Sequence, residues 1–308
     1  MPLAEAGDVP RVLLTGANGF VGTAIVPLLV DAGHDVHATV SPGKRGPAGT
    51  TVHPCDLTDG ADVERLCRDV RATHLMHLAW CTGLRDHKTS DENLRWVAGG
   101  VRLLEAFRRN GGTRVVATGT YAEYGTFAGV CREDAMVAPT FLYATAKWSL
   151  GSLGLAYGSR AEFAVTWARL FTLYGAGEPT IRLIPQVAES LAAGRAIETT
   201  AGSQVRDFVH VHDVARALVV LLAENHHGVA NVGTGIGRPI ADVVSMVAQR
   251  FGRPDLIRAG ARTASSSESS EQVADAATLR HFGWAPSVPF EAGLADELDR
   301  FTAGCRDS

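Results

Sequence analysis

Three regularly spaced glycines between a short apolar strand and a helix constrain this chain most. They lie in the segment TGANGFVG, which follows the apolar run RVLL. The first glycine permits a tight turn, the second lets a pyrophosphate approach the backbone, and the third lets the helix pack on the strand. Free amides and the positive dipole end at the helix N-terminus would face the phosphates. The segment predicts a dinucleotide-binding turn, and a glycine-rich turn without a ligand is the alternative. The predicted cofactor-binding residues are Gly16, Asn18, Gly19, Phe20, Val21 and Gly22.

Short apolar segments alternate with helical ones from Arg11 to about Val130. Strands are predicted at RVLLTG, HDVHATV, THLMHLAW and TRVVATGT. Helices are predicted over residues 20–32 and around Leu94, Val97, Val101 and Leu104, which fall at helical spacing. Alternation of this kind indicates βαβ units with right-handed crossovers and a parallel sheet. The predicted fold class is α/β, a Rossmann-type doubly wound parallel sheet with a small C-terminal substrate-binding lobe.

The alternation becomes irregular in the second half, and this divides the chain. Residues 1–170 are predicted to form mainly the dinucleotide-binding domain, and residues 171–308 mainly the substrate-binding lobe. Some segments at about 205–232 should return to the first domain. Within the lobe, FTLYGAGEPT predicts a loop and residues 181–193 a helix. The lobe should cover the C-terminal edge of the sheet, where open α/β sheets bind ligands.

Composition excludes several classes of protein. The net charge of −4 offers no basic face for nucleic acid. No apolar run approaches the roughly 18 to 20 residues that cross a bilayer, and the N-terminus MPLAEAGDVPR reads as a short loose tail rather than a secretory signal. We therefore expect no membrane partner and no nucleic-acid partner. The serine-rich residues 265–270 predict an exposed mobile loop.

Cysteines and histidines carry no metal or disulfide pattern. The five cysteines are dispersed without CxxC spacing, which is typical of a reducing cytosol and predicts a cytoplasmic protein: Cys55, Cys67, Cys81, Cys131 and Cys305. His210 and His212 lie in VHVHDV, which looks like a strand, so they should share one face as a packed or solvated pair. Zinc is the weaker alternative there, because no HExxH or mixed Cys/His spacing accompanies them. No metal site is predicted.

Tyr143 and Lys147 form the first candidate catalytic pair. They are four residues apart, so on a helix their side chains share one face. A neighbouring ammonium stabilises a phenolate and would lower the tyrosine pKa from its reference value of about 10. The tyrosine could then transfer a proton near neutral pH.

The glycine spacing GxxGxxG resembles the extended short-chain dehydrogenase/reductase family of the NAD-dependent epimerase/dehydratase type, in which TGxxGxxG opens the chain. In that family a Ser or Thr hydroxyl stands four residues before a Tyr-Gly pair, here Tyr124-Gly125. The resemblance implies that Thr120 is the third catalytic residue, with Thr118 as the neighbouring candidate. The resemblance also implies that Lys147 holds the nicotinamide ribose, so Tyr143 and Lys147 count among the cofactor-binding residues.

Further segments resemble the family over nearly the whole chain. Cys55-Asp56-Leu57 resembles the Asp-Leu pair that contacts the adenine, and His77-Leu78-Ala79 the segment beneath the cofactor. Asn93 matches a structural asparagine at the start of the next helix. The cofactor-binding residues implied in this way are Asp56, Leu57, Leu78, Ala79 and Trp80.

Substrate residues are implied by three segments. RLFTLYG resembles RxxNxYG with Thr172 in place of the asparagine, so a side-chain contact with the nucleotide sugar is in doubt there. Arg182 and Arg206 resemble arginines that hold a diphosphate, for which bidentate guanidinium groups are suited; plain surface arginines are the alternative. Cys81 and Tyr121, like Trp80, follow strand ends and either line the pocket or simply pack.

The end of the second strand predicts which dinucleotide binds. An NAD-selective site usually carries an acidic residue about 20 residues beyond the glycines. Here the strand ends at Ser41, which has no charge to repel a 2′-phosphate, and Lys44 and Arg45 follow within reach of one. These three residues predict NADP(H), with NADPH preferred and NAD also accepted. The alternative is that both cations only decorate a loop.

Three functions compete at this point. The resemblance favours a reductase of a nucleoside-diphosphate 4-keto-6-deoxyhexose, a 4-ketoreductase of deoxysugar biosynthesis. An epimerase that holds NAD tightly is the first alternative, and a non-catalytic dinucleotide-binding sensor the second. A dehydratase is disfavoured, because the two positions after Thr120 are not acidic. Glu123 is expected to be an exposed loop carboxylate rather than a general acid or base. The resemblance also implies a homodimer formed through the helices that contain Val101 and Tyr143.

Overall fold

Apolar strands and helices follow one another along most of the chain. The computed structural model describes residues 9–82, 86–264 and 268–302. The strands are, in chain order, β1 (Arg11–Thr15), β2 (Asp35–Val40), β3 (Thr51–Pro54), β4 (His74–His77), β5 (Arg114–Thr120), β6 (Gly129–Cys131), β7 (Ala164–Leu170), β8 (Thr172–Tyr174), β9 (Ile197–Glu198), β10 (Val205–His210), β11 (Gly228–Val232), β12 (Gly237–Pro239), β13 (Ile257–Arg258) and β14 (Glu271–Ala274). The helices are α1 (Phe20–Asp31), α2 (Gly60–Val70), α3 (Glu92–Arg109), α4 (Leu142–Ala161), α5 (Leu183–Ala192), α6 (Val211–Ala223), α7 (Ile240–Arg250), α8 (Ala277–His281) and α9 (Phe290–Thr302).

The larger sheet has seven strands in the order β11-β7-β5-β4-β1-β2-β3. All neighbouring strands in it run parallel. Helices α1 and α6 pack on one face, and α2, α3 and α4 on the other, so apolar side chains fill a core on each side. The α/β fold with a Rossmann-type parallel sheet is therefore confirmed. The strand ends that carry Thr15, His77 and Thr120 meet at one edge of this sheet.

Glycines let helix α4 lie close to the sheet. Gly151 and Gly158 are buried, and a Cβ at Gly151 would stand 2.5 Å from the ring of Trp167 on β7. At Gly158 it would stand 2.7 Å from a methyl carbon of Val165. Larger residues would push the helix away from the strands, because packed interiors have no room for added carbons. The close packing brings the first turns of α4 to the end of β5.

A smaller unit packs at the C-terminal end of the sheet. Its strands run in the order β12-β10-β14-β6, with β8 also paired to β10, and β9 pairs separately with β13. Helices α5, α7 and α9 enclose its apolar core. Of the segment at about 205–232, β10 belongs to this smaller sheet, whereas α6 and β11 belong to the larger unit. The FTLYGAGEPT segment contains strand β8, so the prediction of a loop throughout it is wrong; backbone pairing with β10 holds these three residues extended.

Two further local predictions are also wrong, the second of them only at Ser269. His210 ends β10 and caps α6, where its ring nitrogen accepts a bond from the amide of His212. The two histidines thus lie on a strand end and a helix start, not on one strand face. In the serine-rich segment, Ser269 is buried and its hydroxyl donates a hydrogen bond to the carbonyl of Phe127. This bond fixes the chain two residues before β14 begins. Residues 265–267, like residues 1–8 of the predicted tail and Cys305, lie outside the described residues.

No helix within the described ranges is long and apolar enough to span a membrane. Among the same residues, no group of three or more His, Cys, Asp or Glu side chains is arranged to hold a metal ion.

Candidate active site

The glycine turn between β1 and α1 fits a dinucleotide pyrophosphate. Gly16 has φ +77°, and a Cβ there would stand 2.8 Å from the backbone nitrogen of Ala79. A Cβ at Gly22 would stand 2.1 Å from the Gly16 carbonyl, so the helix can begin there only without a side chain. A Cβ at Gly19 would meet only the Gly16 carbonyl, at 3.2 Å, which leaves the space above the turn open. No side chain caps α1 and no acid stands in its first turn. The amides of Phe20, Val21 and Gly22 therefore remain for an anion.

The loop after β2 lies beside this turn. The side-chain amide of Asn18 donates a 2.9 Å hydrogen bond to the carbonyl oxygen of Arg45. Ser41 accepts a backbone bond from Lys44, which closes a turn through Gly43 at φ +81°. Ser41, Lys44 and Arg45 are all exposed. The described loop thus presents two cations and no acid next to the glycine turn.

The other predicted cofactor residues line the same edge of the sheet. Asp56 is exposed, and its carboxylate accepts bonds from the amide and hydroxyl of Thr58. Leu57 is buried beneath α3. Leu78 and Ala79 follow β4, and both of their amides bond to Thr15, one to its carbonyl and one to its hydroxyl. The structure thus brings these residues to the strand ends beside the glycine turn.

Thr120 and Tyr143 are brought together by the end of β5 and the start of α4. The Thr120 hydroxyl lies close enough to the Tyr143 phenol to act on its pKa in the lowering direction. The Thr120 hydroxyl also accepts a 3.2 Å bond from the amide of Ala122. The Thr118 hydroxyl instead points to the carbonyl of His77, at 3.4 Å. Of the two threonines, Thr120 is therefore the one positioned beside the tyrosine.

Lys147 is buried one helical turn beyond Tyr143. Its ammonium donates a 2.8 Å bond to the carbonyl of Thr118 and lies 4.0 Å from the centre of the Trp80 ring. The indole of Trp80 is held in turn by Asn93, at 2.9 Å. Burial lowers the pKa of Lys147 to about 7, and the carboxylate of Glu123 opposes that effect. The ring of Trp80 thus supports a cation that has little contact with water.

The phenol of Tyr143 has a raised pKa rather than a lowered one. Burial raises this pKa to about 12, while the Arg182 guanidinium and the neighbouring Thr120 hydroxyl act in the lowering direction. The predicted lowering by Lys147 is wrong, because burial of the phenol outweighs the groups that act in the lowering direction and the lysine donates to Thr118 instead. Tyr143 therefore keeps its proton at neutral pH and is suited to donate it.

Glu123 is fully buried, so the prediction of an exposed loop carboxylate is wrong. It lies in a short 3₁₀ helix, Tyr121–Tyr124, that follows β5 directly. One carboxylate oxygen accepts a 2.9 Å bond from the Thr120 amide, and the other a 2.8 Å bond from Arg169. Sequence reasoning missed this because it assumed an extended segment, in which the side chain would point to the other face.

The two arginines predicted to bind the substrate differ in their surroundings. Arg182 caps the start of α5 and is half-buried, close enough to Tyr143 to lower its pKa. Arg206 is only 7% exposed and donates to the backbone carbonyls of Val205 and Ser269. The alternative that Arg206 is an ordinary surface arginine is therefore wrong, because its guanidinium is buried against the smaller sheet.

The remaining predicted pocket residues are half-buried at the same end of the sheet. Tyr121 stacks on Phe171, with ring centres 5.7 Å apart. Burial raises the pKa of the Cys81 thiol. Thr172 opens β8, opposite Phe208 of β10.

A polar cavity of about 640 Å³ continues from this region along α5. The ring of His87 packs edge-on against Tyr143, with centres 5.5 Å apart, and so joins the cavity to the candidate catalytic residues. Sequence reasoning missed Arg195 and Arg262, which no local motif marks. The lining residues are His87, Thr180, Ile181, Gln186, Glu189, Ser190, Arg195 and Arg262.

Residues 12–233 match the sequence model of the NAD-dependent epimerase/dehydratase family. The chain belongs to this family. The predicted resemblance to extended short-chain dehydrogenases/reductases is thereby confirmed, as is the prediction of an NAD-dependent enzyme of the oxidoreductase or epimerase type. The members of this family to which the chain is similar are enzymes that modify nucleotide-linked sugars.

Three similar proteins show the range within the family. UDP-glucose 4-epimerase of Corynebacterium glutamicum is 28% identical, with 96% of this chain and 97% of that protein covered. dTDP-6-deoxy-L-talose 4-dehydrogenase (NAD(P)⁺) of Kitasatospora kifunensis is 28% identical, with 90% and 91% covered. The structure of MoeE5 in complex with UDP-glucose and NAD is 30% identical, with a TM-score of 0.85 and coverage of 96% and 100%.

Proposed function

We propose that this protein is an NAD(P)H-dependent 4-ketoreductase of a nucleoside-diphosphate-linked 4-keto-6-deoxyhexose. The observation that carries the proposal is that Thr120 and Tyr143 lie side by side, while the two residues after Thr120, Tyr121 and Ala122, have no acidic group. The nearest carboxylate, that of Glu123, is fully buried and bonded to Arg169, so it is not free to take a proton from a sugar. This arrangement supports proton donation to a carbonyl oxygen and disfavours removal of water.

The chemistry follows from the position of Thr120 and the protonated state of Tyr143. A nicotinamide dinucleotide supplies the hydride when it is bound. Thr120 holds the carbonyl oxygen of the substrate through its hydroxyl, and the Tyr143 phenol donates its proton to that oxygen. The raised pKa of Tyr143 keeps the proton on the phenol until the oxygen becomes basic. Lys147 donates its hydrogen bond to the Thr118 carbonyl and so helps to hold the strand end that carries Thr120.

The substrate proposal rests on the cations beside α5. Arg182 lies near Tyr143, and Arg195 and Arg262 line the adjoining cavity. Arginine forks suit the oxygens of a diphosphate. The names of the similar proteins supply the sugar class, because one oxidises a dTDP-linked deoxysugar at position 4 and another binds UDP-glucose. Contacts of Thr172, Cys81, Tyr121 and Arg206 with the substrate stay predictions.

For the cofactor we propose NADPH in preference to NADH. The exposed side chains of Lys44 and Arg45 lie beside the glycine turn and are suited to bind a 2′-phosphate. The residue directly after β2 is Ser41, which has no negative charge to repel that phosphate. The similar structure of MoeE5 holds NAD, and NAD is accepted here as the second dinucleotide. We also place the protein in the cytoplasm, which the four described cysteines support, because all are free: Cys55, Cys67, Cys81 and Cys131.

A homodimer is the proposed assembly. Helices α3 and α4 pack side by side and expose large apolar side chains, Leu94 and Val101 on the first and Trp148 and Leu153 on the second. Leu94 is 57% exposed and Leu153 53%. Apolar surface of this kind on a helix pair is suited to bury itself against the same pair of a second copy.

The decisive experiment supplies the purified protein with 4-keto-6-deoxy sugars linked to dTDP, CDP, GDP and UDP, and follows NADPH absorbance. We expect one of these sugars to consume about one NADPH per product, from protein that purifies largely without bound NAD. Copurification of stoichiometric NAD, with interconversion of two sugars and no net cofactor use, would establish the epimerase instead. Dinucleotide binding without turnover of any sugar would favour the sensor.

The epimerase is kept as the second candidate because several similar proteins are named UDP-glucose 4-epimerase, at 28–29% identity.

A further inference from the structure

The buried carboxylate of Glu123 is bonded to the catalytic strand itself. One of its oxygens accepts a 2.9 Å hydrogen bond from the backbone amide of Thr120. The same oxygen accepts a 3.0 Å bond from the indole of Trp167, and the second oxygen a 2.8 Å bond from Arg169. Every one of these partners is a donor, so a proton on the carboxyl would have to displace one of them. The pair with Arg169 is therefore an ion pair, although burial raises the pKa of Glu123.

Arg169 is fixed from its other side. Its guanidinium donates a 3.0 Å bond to the hydroxyl of Tyr124, and that hydroxyl donates a 2.8 Å bond to the side-chain oxygen of Asn231. These bonds cross from the turn after β5 through β7 to β11, which are neighbours in the sheet. The carboxylate thus belongs to a network that spans three rigid strands.

The space around the carboxylate is fully taken up. A Cβ at Gly119 would stand 2.5 Å from a carboxylate oxygen of Glu123 and 2.3 Å from the indole nitrogen of Trp167. The residue before Thr120 must therefore be glycine for the network to close. A displacement of Glu123 would move the strand end with it, because the Thr120 amide is bonded to it directly.

We propose that Glu123, fixed by Arg169, is a positioning residue that holds the turn at the end of β5 so that the Thr120 hydroxyl meets Tyr143. The inference rests on the proposed function, in which Thr120 and Tyr143 act on the substrate carbonyl. Glu123 itself touches neither substrate nor cofactor in this scheme. It acts through the backbone of Thr120.

The charge of Glu123 also reaches both proton-carrying groups. It raises the pKa of Lys147 and that of Tyr143. The other groups that face Lys147 are the His77 ring and the face of Trp80. Tyr143 is faced by the Arg182 guanidinium, the Tyr121 phenol and the Thr120 hydroxyl. The rings of His87 and Trp80 pack edge-on against it. Among these described groups Glu123 carries the only carboxylate, so removing its charge should lower the pKa of both Lys147 and Tyr143.

Two substitutions separate geometry from charge. Glu123→Asp keeps the charge but is one methylene too short to reach both Thr120 and Arg169; we expect kcat to fall about tenfold or more with an unmoved pH profile. Glu123→Gln keeps the length but removes the charge. We expect its kcat for reduction to be lost at a pH about one unit lower than in the parent, because Tyr143 and Lys147 give up their protons sooner.

Controls address a merely structural role. Glu297→Gln alters a buried carboxylate that pairs with Arg300 on α9, outside this network, and it should leave kcat and its pH profile unchanged. If Glu123→Gln does not fold, because Arg169 is left unpaired, the double variant Glu123→Gln with Arg169→Met replaces the buried pair by neutral groups of similar size. It should fold and show the same displacement of the pH profile.

Hydrogen–deuterium exchange at the Thr120 amide gives a readout that needs no turnover. We expect exchange on the order of tenfold faster in Glu123→Asp and parental exchange in Glu297→Gln. If the parent reduced none of the sugars, the proposed function would fail, while this measurement would still decide the positioning role. Folded Glu123 variants with parental kcat, pH profile and Thr120 exchange would overturn the inference.

Discussion

The Lys147 ammonium donates a 2.8 Å hydrogen bond to the carbonyl oxygen of Thr118, two residues before the end of β5. The lysine is 4% exposed, and the Trp80 ring covers it at 4.0 Å. A buried ammonium is costly unless it is paired, and a carbonyl with an aromatic face is only a partial substitute for water. The fold therefore holds a destabilising charge at the point where the candidate chemistry takes place.

The buried charge of Lys147 should make the free energy of unfolding depend on pH. The pKa of Lys147 is about 7 in the folded protein, below its value of 10.5 in an exposed chain, so between these values the unfolded state binds the extra proton. The destabilisation is complete below pH 7 and disappears as the pH rises toward 10.5. Lys147→Met should thus gain stability over the parent most at pH 6 and least at pH 10, with a slope of at most about 1.4 kcal/mol per pH unit. Denaturant unfolding at several pH values measures it. The exposed Lys88→Met is the control; a pH-independent difference for Lys147→Met would contradict the prediction.

Tyr143→Phe tests the proton donor. The ring and its contacts remain, but the hydroxyl beside Thr120 is lost. We expect turnover to fall by about 10² or more, the range of a lost general acid, with dinucleotide affinity within a few fold of the parent. Steady-state kinetics and a fluorescence titration of the dinucleotide measure the two effects. Tyr157→Phe, further along α4, should behave as the parent. Parental turnover in Tyr143→Phe would reject the assigned mechanism.

Cofactor choice should depend on the loop after β2. Replacing Lys44 and Arg45 together by alanine keeps the backbone bond from Asn18 but removes both cations. We expect the KM for NADPH to rise about tenfold or more, since a charged contact to phosphate is worth roughly this much, and the KM for NADH to stay within twofold. Arg68→Ala, near the C-terminal end of α2, is the matched control. A parent that prefers NADH would refute the cation argument altogether.

The exposed apolar face of α3 and α4 can be tested by one charge. Leu153 is 53% exposed on α4, and Leu153→Glu would place a carboxylate in the proposed contact between copies. Since burying an unpaired charge is strongly unfavourable, we expect a shift from dimer to monomer in analytical ultracentrifugation. Ile236→Glu, at a side chain that is 58% exposed outside these helices, should leave the dimer intact. A monomeric parent, or a dimeric Leu153→Glu variant, would argue against this surface.

Local chemistry made much of the fold predictable. The tight turn at Gly16 and the close approach at Gly22 need glycine whatever surrounds them, and the structure places the turn between β1 and α1 as predicted. Short apolar runs predicted four of the seven strands of the larger sheet, β1, β2, β4 and β5, which are mostly buried. The prediction missed β3, β7 and β11; most residues of β3 are exposed. It failed for β8, a three-residue strand that exists only through pairing with β10.

The sequence by itself determined the family, the parallel sheet and the pairing of Tyr143 with Lys147 on one helix, since each can be read from short motifs or from local periodicity. Only the tertiary structure decided the surroundings of those residues. Glu123 is buried because Arg169, 46 positions away, lies beside it on β7. The phenol of Tyr143 is raised in pKa because several elements exclude water from it. Burial and long-range partners set charge and desolvation, and neither can be read from neighbours in sequence.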